Sequence, residues 1–294
     1  MKRRIWHRLH DRLWSEVGKS LAHPTVFQQS DAASASPSSV SGGMPWARFC
    51  SEFAGGHLGS EDFRRTAAVR DIVETVGAME GRFYAARIRE WGAEWLTDPA
   101  VGKIDAWGNP IRWPAFLLGS PRAFSPTTLR YLATALWLKK NRYLSDRARI
   151  VEIGVGFGGL AAMNALVSGA VTTLVDLPQV ERSALRMLGE TGLAAYAKLS
   201  AETTTRPATL AISNYAFTEL SAPIQESYLT RYLRDAEHGV IVSNSAIFSQ
   251  SIHGRSDEEL VAWFRSEGIP AKIETVNELL SPGDHLNGVT LIHW

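Results

Sequence analysis

The stretch Arg149-Ile-Val-Glu-Ile-Gly-Val-Gly-Phe-Gly-Gly-Leu160, followed by Val175-Asp-Leu-Pro178, decides the fold of this chain. Ile150, Val151 and Ile153 read as a short buried strand, and Leu160, Ala161, Ala162, Leu166 and Val167 give the next segment one apolar helical face. Val171 to Val175 is rich in β-branched residues and reads as a second strand. The glycines between strand and helix let the backbone turn tightly and approach a ligand with no side chain in the way. Asp176 closes the second strand about 20 residues beyond the glycines, where its carboxylate can accept hydrogen bonds from both hydroxyls of a ribose. Strand, turn, helix, strand and carboxylate together predict a unit that binds a nucleoside-containing cofactor.

Two cofactor classes fit such a unit. Gly154, Gly156 and Gly159 satisfy the G-x-G-x-x-G pattern of dinucleotide binders. Glu152 favours the other class: Glu152-x-Gly154-x-Gly156-x-Gly158 resembles motif I of class I S-adenosylmethionine (SAM)-dependent methyltransferases. In a dinucleotide site this loop serves a pyrophosphate, which a carboxylate at its edge would repel. The resemblance implies that Glu152 helps hold the methionyl part of the cofactor and Asp176 the ribose, with Gly154, Gly156, Gly158 and Leu177 lining the loop. The bland alternative is that the glycines serve packing alone.

Downstream, strands and helices alternate as a doubly wound sheet requires. The weakly marked third strand falls near residues 194–200, the fourth at Thr209–Asn214, the fifth at Gly239–Asn244, the sixth at 271–276 and the last at Gly288–Trp294. Helices are expected over 222–237 and 256–266, the second opened by the capping box Ser256-x-x-Glu259. Pro282 and Gly283 leave no room for a crossover helix between the sixth and seventh strands, so these two must run antiparallel. The expected fold is α/β: a doubly wound, Rossmann-like, seven-stranded sheet with its last strand antiparallel and a helical N-terminal extension. A sheet ending in one reversed strand resembles the class I methyltransferases, whereas dehydrogenases more often append a substrate domain.

Upstream, Met1 to about residue 29 is basic, and Ile5, Leu9, Leu13, Val17 and Leu21 share one helical face. Such a helix docks on the protein or on a second subunit, with peripheral membrane contact through residues 1–20 as the lesser alternative. It lacks the apolar core of a secretory signal. Residues 30–43, rich in Ser, Ala and Gly, read as a linker. Residues 44–145 read as a helical lid, substrate-specificity and dimer segment, and 146–294 as the cofactor-binding catalytic domain. Within the former, a long amphipathic helix is expected around Asp62 to Trp95, with Phe83, Ile88, Trp91 and Trp95 packing. Glycines and prolines make 106–125 irregular, and a helix follows over Pro126–Lys140.

Composition narrows the partners. The chain has 294 residues, 45% of them apolar, and a net charge of +1, so no global field favours nucleic acid. A single cysteine, Cys50, excludes an intrachain disulfide and a cysteine-based metal cluster, and fits a reducing cytoplasm.

Three further segments are similar to the bacterial sugar O-methyltransferase family: Glu152 to Gly159, Val175-Asp-Leu-Pro178, and Ser213-Asn-Tyr-Ala-Phe-Thr-Glu-Leu220. Gly108-Asn-Pro110, Ser125-x-Thr-Thr-Leu-Arg-Tyr131, Asp284-His-Leu-Asn287 and Trp294 extend the resemblance over roughly residues 105 to 294. It implies SAM as cofactor, a small hydroxylated, sugar-like acceptor, a homodimer and transfer of a methyl group to oxygen. A hydroxyl is a weak nucleophile and needs a base, and the acceptor must lie beyond the C-terminal ends of the strands. His285 and His253 stand first as bases, with Glu219 third. Asn214 can hold the cofactor. Tyr215, Asn244 and Arg130 are the acceptor candidates, although Arg130 and Tyr131 can also close over the methionyl end. Ser249 and Gln250 follow the fifth strand, and Ser200 or Glu202 are candidates for the adenine. Asp284 beside His285 makes a base pair or an ion site, but no third ligand stands at a readable spacing and no metal is expected. The rivals are a nicotinamide-dependent oxidoreductase and a non-catalytic SAM-binding scaffold.

Overall fold

The strand read first, β1 (Arg149–Ile153), lies at the heart of a seven-stranded sheet in the computed structural model, which describes residues 45–202, 207–275 and 277–294. The expected basic helix (1–29), its membrane contact and the linker (30–43) lie outside the described residues. The other strands are β2 (Val171–Val175), β3 (Ala197–Leu199), β4 (Leu210–Asn214), β5 (His238–Ser243), β6 (Lys272–Glu274) and β7 (Thr290–His293). Their order is β3-β2-β1-β4-β5-β7-β6. β1 to β5 pair in parallel, whereas β7 runs antiparallel to both β5 and β6. The doubly wound sheet with its reversed last strand is therefore present, and its strand order reverses between β1 and β4, where such sheets open a ligand crevice.

Twelve α-helices surround the sheet among the described residues: α1 (Pro45–Ala54), α2 (Ala67–Arg70), α3 (Ala78–Gly92), α4 (Pro99–Ala106), α5 (Ala115–Leu118), α6 (Pro126–Lys140), α7 (Gly159–Ser168), α8 (Pro178–Thr191), α9 (Ala222–Tyr228), α10 (Ser245–Ile252), α11 (Asp257–Ser266) and α12 (Pro282–Leu286). Their ends follow local chemistry. α6 opens with Pro126 at its first turn and Ser125 as N-cap. α11 carries the Ser256/Glu259 capping box.

Two expectations need correction. The stretch from Asp62 to Trp95 is not one helix: Thr66 and Gly77 adopt extended backbone before α2 and α3, and the apolar spacing is shared among short pieces. The loop between β6 and β7 holds no crossover, as expected, only the single turn α12, which Ser281 and Asp284 cap and Pro282 opens. The helix over 222–237 passes at Leu229 into a π-turn that ends at Leu233.

Alternation along the strands splits the interior in two. Ile150 and Ile212 face a core shared with Leu132, Leu160, Leu174 and Ala184. Val151, Ala211 and Ile241 face the second, with Phe217, Leu260 and Phe264. The first core also contains Phe53, Phe63, Ile88 and Leu118, so the helices of residues 45–125 are continuous with the sheet's own packing. Polar ties reinforce the joint. Arg186 on α8 donates to the carbonyls of Phe53 and Leu58, Trp107 Nε1 donates to Glu190, and Lys103 Nζ donates to the carbonyl of Thr191.

Candidate active site

The glycine loop takes its shape from three left-handed residues, Gly154 (φ +79°), Gly156 (φ +53°) and Gly158 (φ +90°). A Cβ on Gly154 would stand only 1.9 Å from that of Ala216, so the segment after β4 closes directly on the loop there. At Gly156 the nearest atom would be 3.6 Å away, on Val73, and that position has room. Phe157 turns inward and is buried, with Trp107 stacked 6.0 Å away and the Arg64 guanidinium 4.7 Å from its centroid. Arg64, fully buried, is tied to Glu74, Ser125 and Thr128, and thereby joins the N-terminal helices to the loop. Nothing in the sequence pattern singles out Arg64 or Glu74, because a buried arginine looks like any surface arginine until its partners are known.

Two carboxylates lie under the loop. Asp176 accepts from Val155 N at 2.9 Å through Oδ2 and from Leu177 N at 2.8 Å through Oδ1. With the backbone of Gly156 as a third donor, the carboxylate still keeps capacity for a further one. Burial pushes Asp176 up to about 6, against the lowering effect of those backbone bonds. Glu152 shares the sheet face of Ile150. It is 2% exposed, and its Oε2 is buried without a hydrogen-bond partner. Burial first, and then the neighbouring Asp176, push it up to about 8. A buried, unpaired carboxylate oxygen costs about 1–3 kcal/mol, a cost that a cationic ligand would remove. Glu181, in the first turn of α8, accepts from the backbone of Asp176 and of Ser200 and ties the ends of β2 and β3 together. Ser200 and Glu202 form a short turn after β3, and the carboxylate of Glu202 faces Leu199 N.

Beyond β4 the chain makes a strained turn. Asn214 ends the strand half-buried, and Tyr215 follows at φ +74°, uncommon for a bulky residue. Its N–H donates to Val242 O and its hydroxyl to Asp284 Oδ1 at 2.8 Å. The half-buried Glu219 accepts from Asn244 Nδ2 at 2.7 Å, and Asn244 in turn accepts from Thr218 Oγ1 at 2.6 Å. Burial drives the Glu219 carboxyl up to about 7, with the Asn244 bond opposing. Such a value suits a general base near neutrality.

The histidines differ. His253 is exposed in a left-handed conformation at the end of α10, and His285 is exposed on α12. Neither ring has a hydrogen bond among the described residues. Ser249 and Gln250 lie along α10 itself. Asp284 points inward to Tyr84, Tyr215 and the backbone of Ser281, so it forms no pair with His285. Arg130 lies against the rings of Tyr131 and Tyr215, 5.6 and 5.2 Å from their centroids. Sequence reasoning missed Tyr84 and Glu181. The acid in the first turn of α8 was the only available signal for the second.

No group of three metal-ligating side chains occurs among the described residues, and no helix among them is long and apolar enough to cross a membrane.

No family profile and no curated protein matches the chain. Solved structures do. Geranyl diphosphate C-methyltransferase from Streptomyces coelicolor A3(2) is 16% identical over 55% of this chain and 77% of its own, with a TM-score of 0.42. The mitomycin 7-O-methyltransferase is 17% identical over 75% and 73%, at 0.39. A SAM-dependent methyltransferase from Geobacter sulfurreducens is 18% identical over 49% and 66%, at 0.35. All three are methyltransferases, but they superpose loosely and share few residues. The strand order, and not these matches, defines the fold here.

Proposed function

We propose that the chain is a SAM-dependent O-methyltransferase acting on a small hydroxylated acceptor, of which a sugar is the leading class. The observation that carries the reading is the unpaired, buried Oε2 of Glu152 beside the glycine loop. Burial keeps the proton on Glu152 in the free protein, and a cationic amino-acid and sulfonium cofactor would draw that carboxyl into its anionic form, whereas a pyrophosphate would not. The residues fit the group: Asp176 keeps accepting capacity for ribose hydroxyls, and the left-handed glycines let the backbone approach a ligand closely.

Bound there, the cofactor supplies an electrophilic methyl group. The chain has to align an acceptor oxygen with it, and such alignment supplies much of the acceleration in an in-line displacement. Glu219 is the best placed of the three candidate bases, since it is partly buried, fixed by Asn244 and raised to about 7. It takes the hydroxyl proton as the new bond forms. Tyr215 and Asn244 flank it on the acceptor side. Residues 44–125 act as the lid, so exchanging that segment should change acceptor preference, and two protomers pair as a dimer.

Incubation with SAM and a panel of monosaccharides, glycosides and small alcohols, read by mass spectrometry, tests the reading. A product methylated on oxygen supports it. Methylation on carbon or nitrogen alone, or oxidation of the panel with NAD or NADP, contradicts it.

A further inference from the structure

Arg130 is, among the described residues, a cation with no hydrogen-bonded or ion-paired partner for its side chain. Among the described residues its Nε is buried without a hydrogen-bond partner, and no carboxylate reaches ion-pair distance of its guanidinium. Its protein contacts are the faces of Tyr131 and Tyr215. An unpaired guanidinium in a partly buried place is destabilising, and the interior of a protein normally answers it.

Two carboxylates, Asp284 and Glu80, lie within electrostatic reach of Arg130, and both are turned to other donors. Asp284 accepts the Tyr215 hydroxyl on Oδ1, and the Tyr84 hydroxyl (3.3 Å) and Ser281 N (2.8 Å) on Oδ2. Glu80 accepts from Gly77 N at 2.8 Å and from Ser281 Oγ at 3.5 Å. Tyr84 comes from α3, Tyr215 from the turn after β4, and Asp284 from α12, so three distant parts of the chain meet on one buried carboxylate. That clasp also holds Tyr215 in its left-handed conformation with its ring against the guanidinium.

The position of Arg130 indicates what it waits for. The adjacent Tyr131 lies along the glycine loop: a Cβ on Gly159 would meet its ring at 2.5 Å, and one on Gly156 would lie 3.9 Å from its hydroxyl. The Tyr131 phenol is within electrostatic reach of both Arg130 and Glu152. An unpaired guanidinium and the unpaired carboxyl of Glu152 therefore both lie within electrostatic reach of one tyrosine at the loop. An α-amino acid presents the complementary pair on a single carbon.

We propose that Arg130 is the seat of a carboxylate, that of the cofactor's amino-acid end, and that the Tyr84–Asp284–Tyr215 clasp keeps the guanidinium free to receive it. This rests on the methyltransferase reading. A bidentate guanidinium–carboxylate pair is directional, so lysine is not an equivalent replacement.

The test compares S-adenosylhomocysteine with 5′-methylthioadenosine, which lacks the amino-acid end, by calorimetry on the full chain. Arg130→Gln should weaken S-adenosylhomocysteine by about ten-fold or more, leave methylthioadenosine within about two-fold, and keep or raise Tm. Arg130→Lys should fall between. The double variant Tyr84→Phe/Tyr215→Phe releases Asp284 to pair with Arg130 and should also weaken S-adenosylhomocysteine selectively, and adding Arg130→Gln should then cost little more. Equal loss of both ligands with a lowered Tm would assign Arg130 to structure, and unchanged binding of both would overturn the seat. Losses that simply add would overturn the clasp. Failure of the unaltered protein to bind S-adenosylhomocysteine at all would defeat the cofactor reading itself.

Discussion

Burial raises two carboxylates of the site, Glu152 and Glu219, with different consequences. Glu152 is raised from 4.5 to about 8, so the native chain holds that proton more tightly than the unfolded chain does. This contribution to stability is complete below about pH 4.5 and is lost as the pH rises through about 8. The protein without cofactor should therefore lose Tm between pH 5 and 9. Glu152→Gln should flatten that loss, being more stable than the parent at pH 9 by about 1–3 kcal/mol while binding S-adenosylhomocysteine less well. A Tm series against pH with both proteins checks this. As the proposed base, Glu219 would work in its deprotonated form, so kcat should climb through about pH 7 to a plateau. Glu219→Gln should lower kcat by about a hundred- to ten-thousand-fold with KM little changed. Equal effects on His253→Gln or His285→Gln, each exposed in the fold, would move the base elsewhere.

At the scale of elements, the glycine loop and its flanking strands do what their sequence announces, and the irregular pieces do not. Gly154 and Gly156 are both left-handed, yet they should respond differently to alanine. Gly154→Ala drives a Cβ into Ala216 and should abolish cofactor binding or folding, whereas Gly156→Ala meets only strain at φ +53°. Overpacking and strain each cost about 1–3 kcal/mol, so denaturation midpoints should separate the two variants clearly. β1, β2, α6 and α11 were legible because apolar period, β-branching and caps all agree there. The helix expected over Asp62–Trp95 forms only over α3, because the chain turns at Thr66 and Gly77 before it. α12 was hidden by its own Pro282 and Gly283: Pro282 opens the helix instead of excluding it. Tyr84 and Asp284 gave no local signal, since what pairs them is an approach of segments 200 residues apart.

At the scale of the molecule, the helices of residues 45–125 share one core with the sheet. Phe53, Ile88 and Leu118 are buried in it, at about 1.5–3 kcal/mol each. A fragment beginning at residue 126 would expose that surface and also remove Arg64 and Glu74 from the glycine loop. It should be poorly soluble and lack a cooperative thermal transition, as scanning calorimetry would show. Breaking only the Arg64–Glu74 pair, with Glu74→Gln, leaves a buried cation unanswered and should cost about 3–5 kcal/mol while loosening the cofactor loop. The central claim is that this loop, with Asp176 beneath it, takes a SAM-type cofactor. Its most direct test is calorimetric titration of S-adenosylhomocysteine and NAD into the protein and into Asp176→Ala. Micromolar binding of S-adenosylhomocysteine that falls about ten-fold or more in the variant, with no NAD binding, is the expected result. Preference for NAD, or S-adenosylhomocysteine binding indifferent to Asp176, would contradict it.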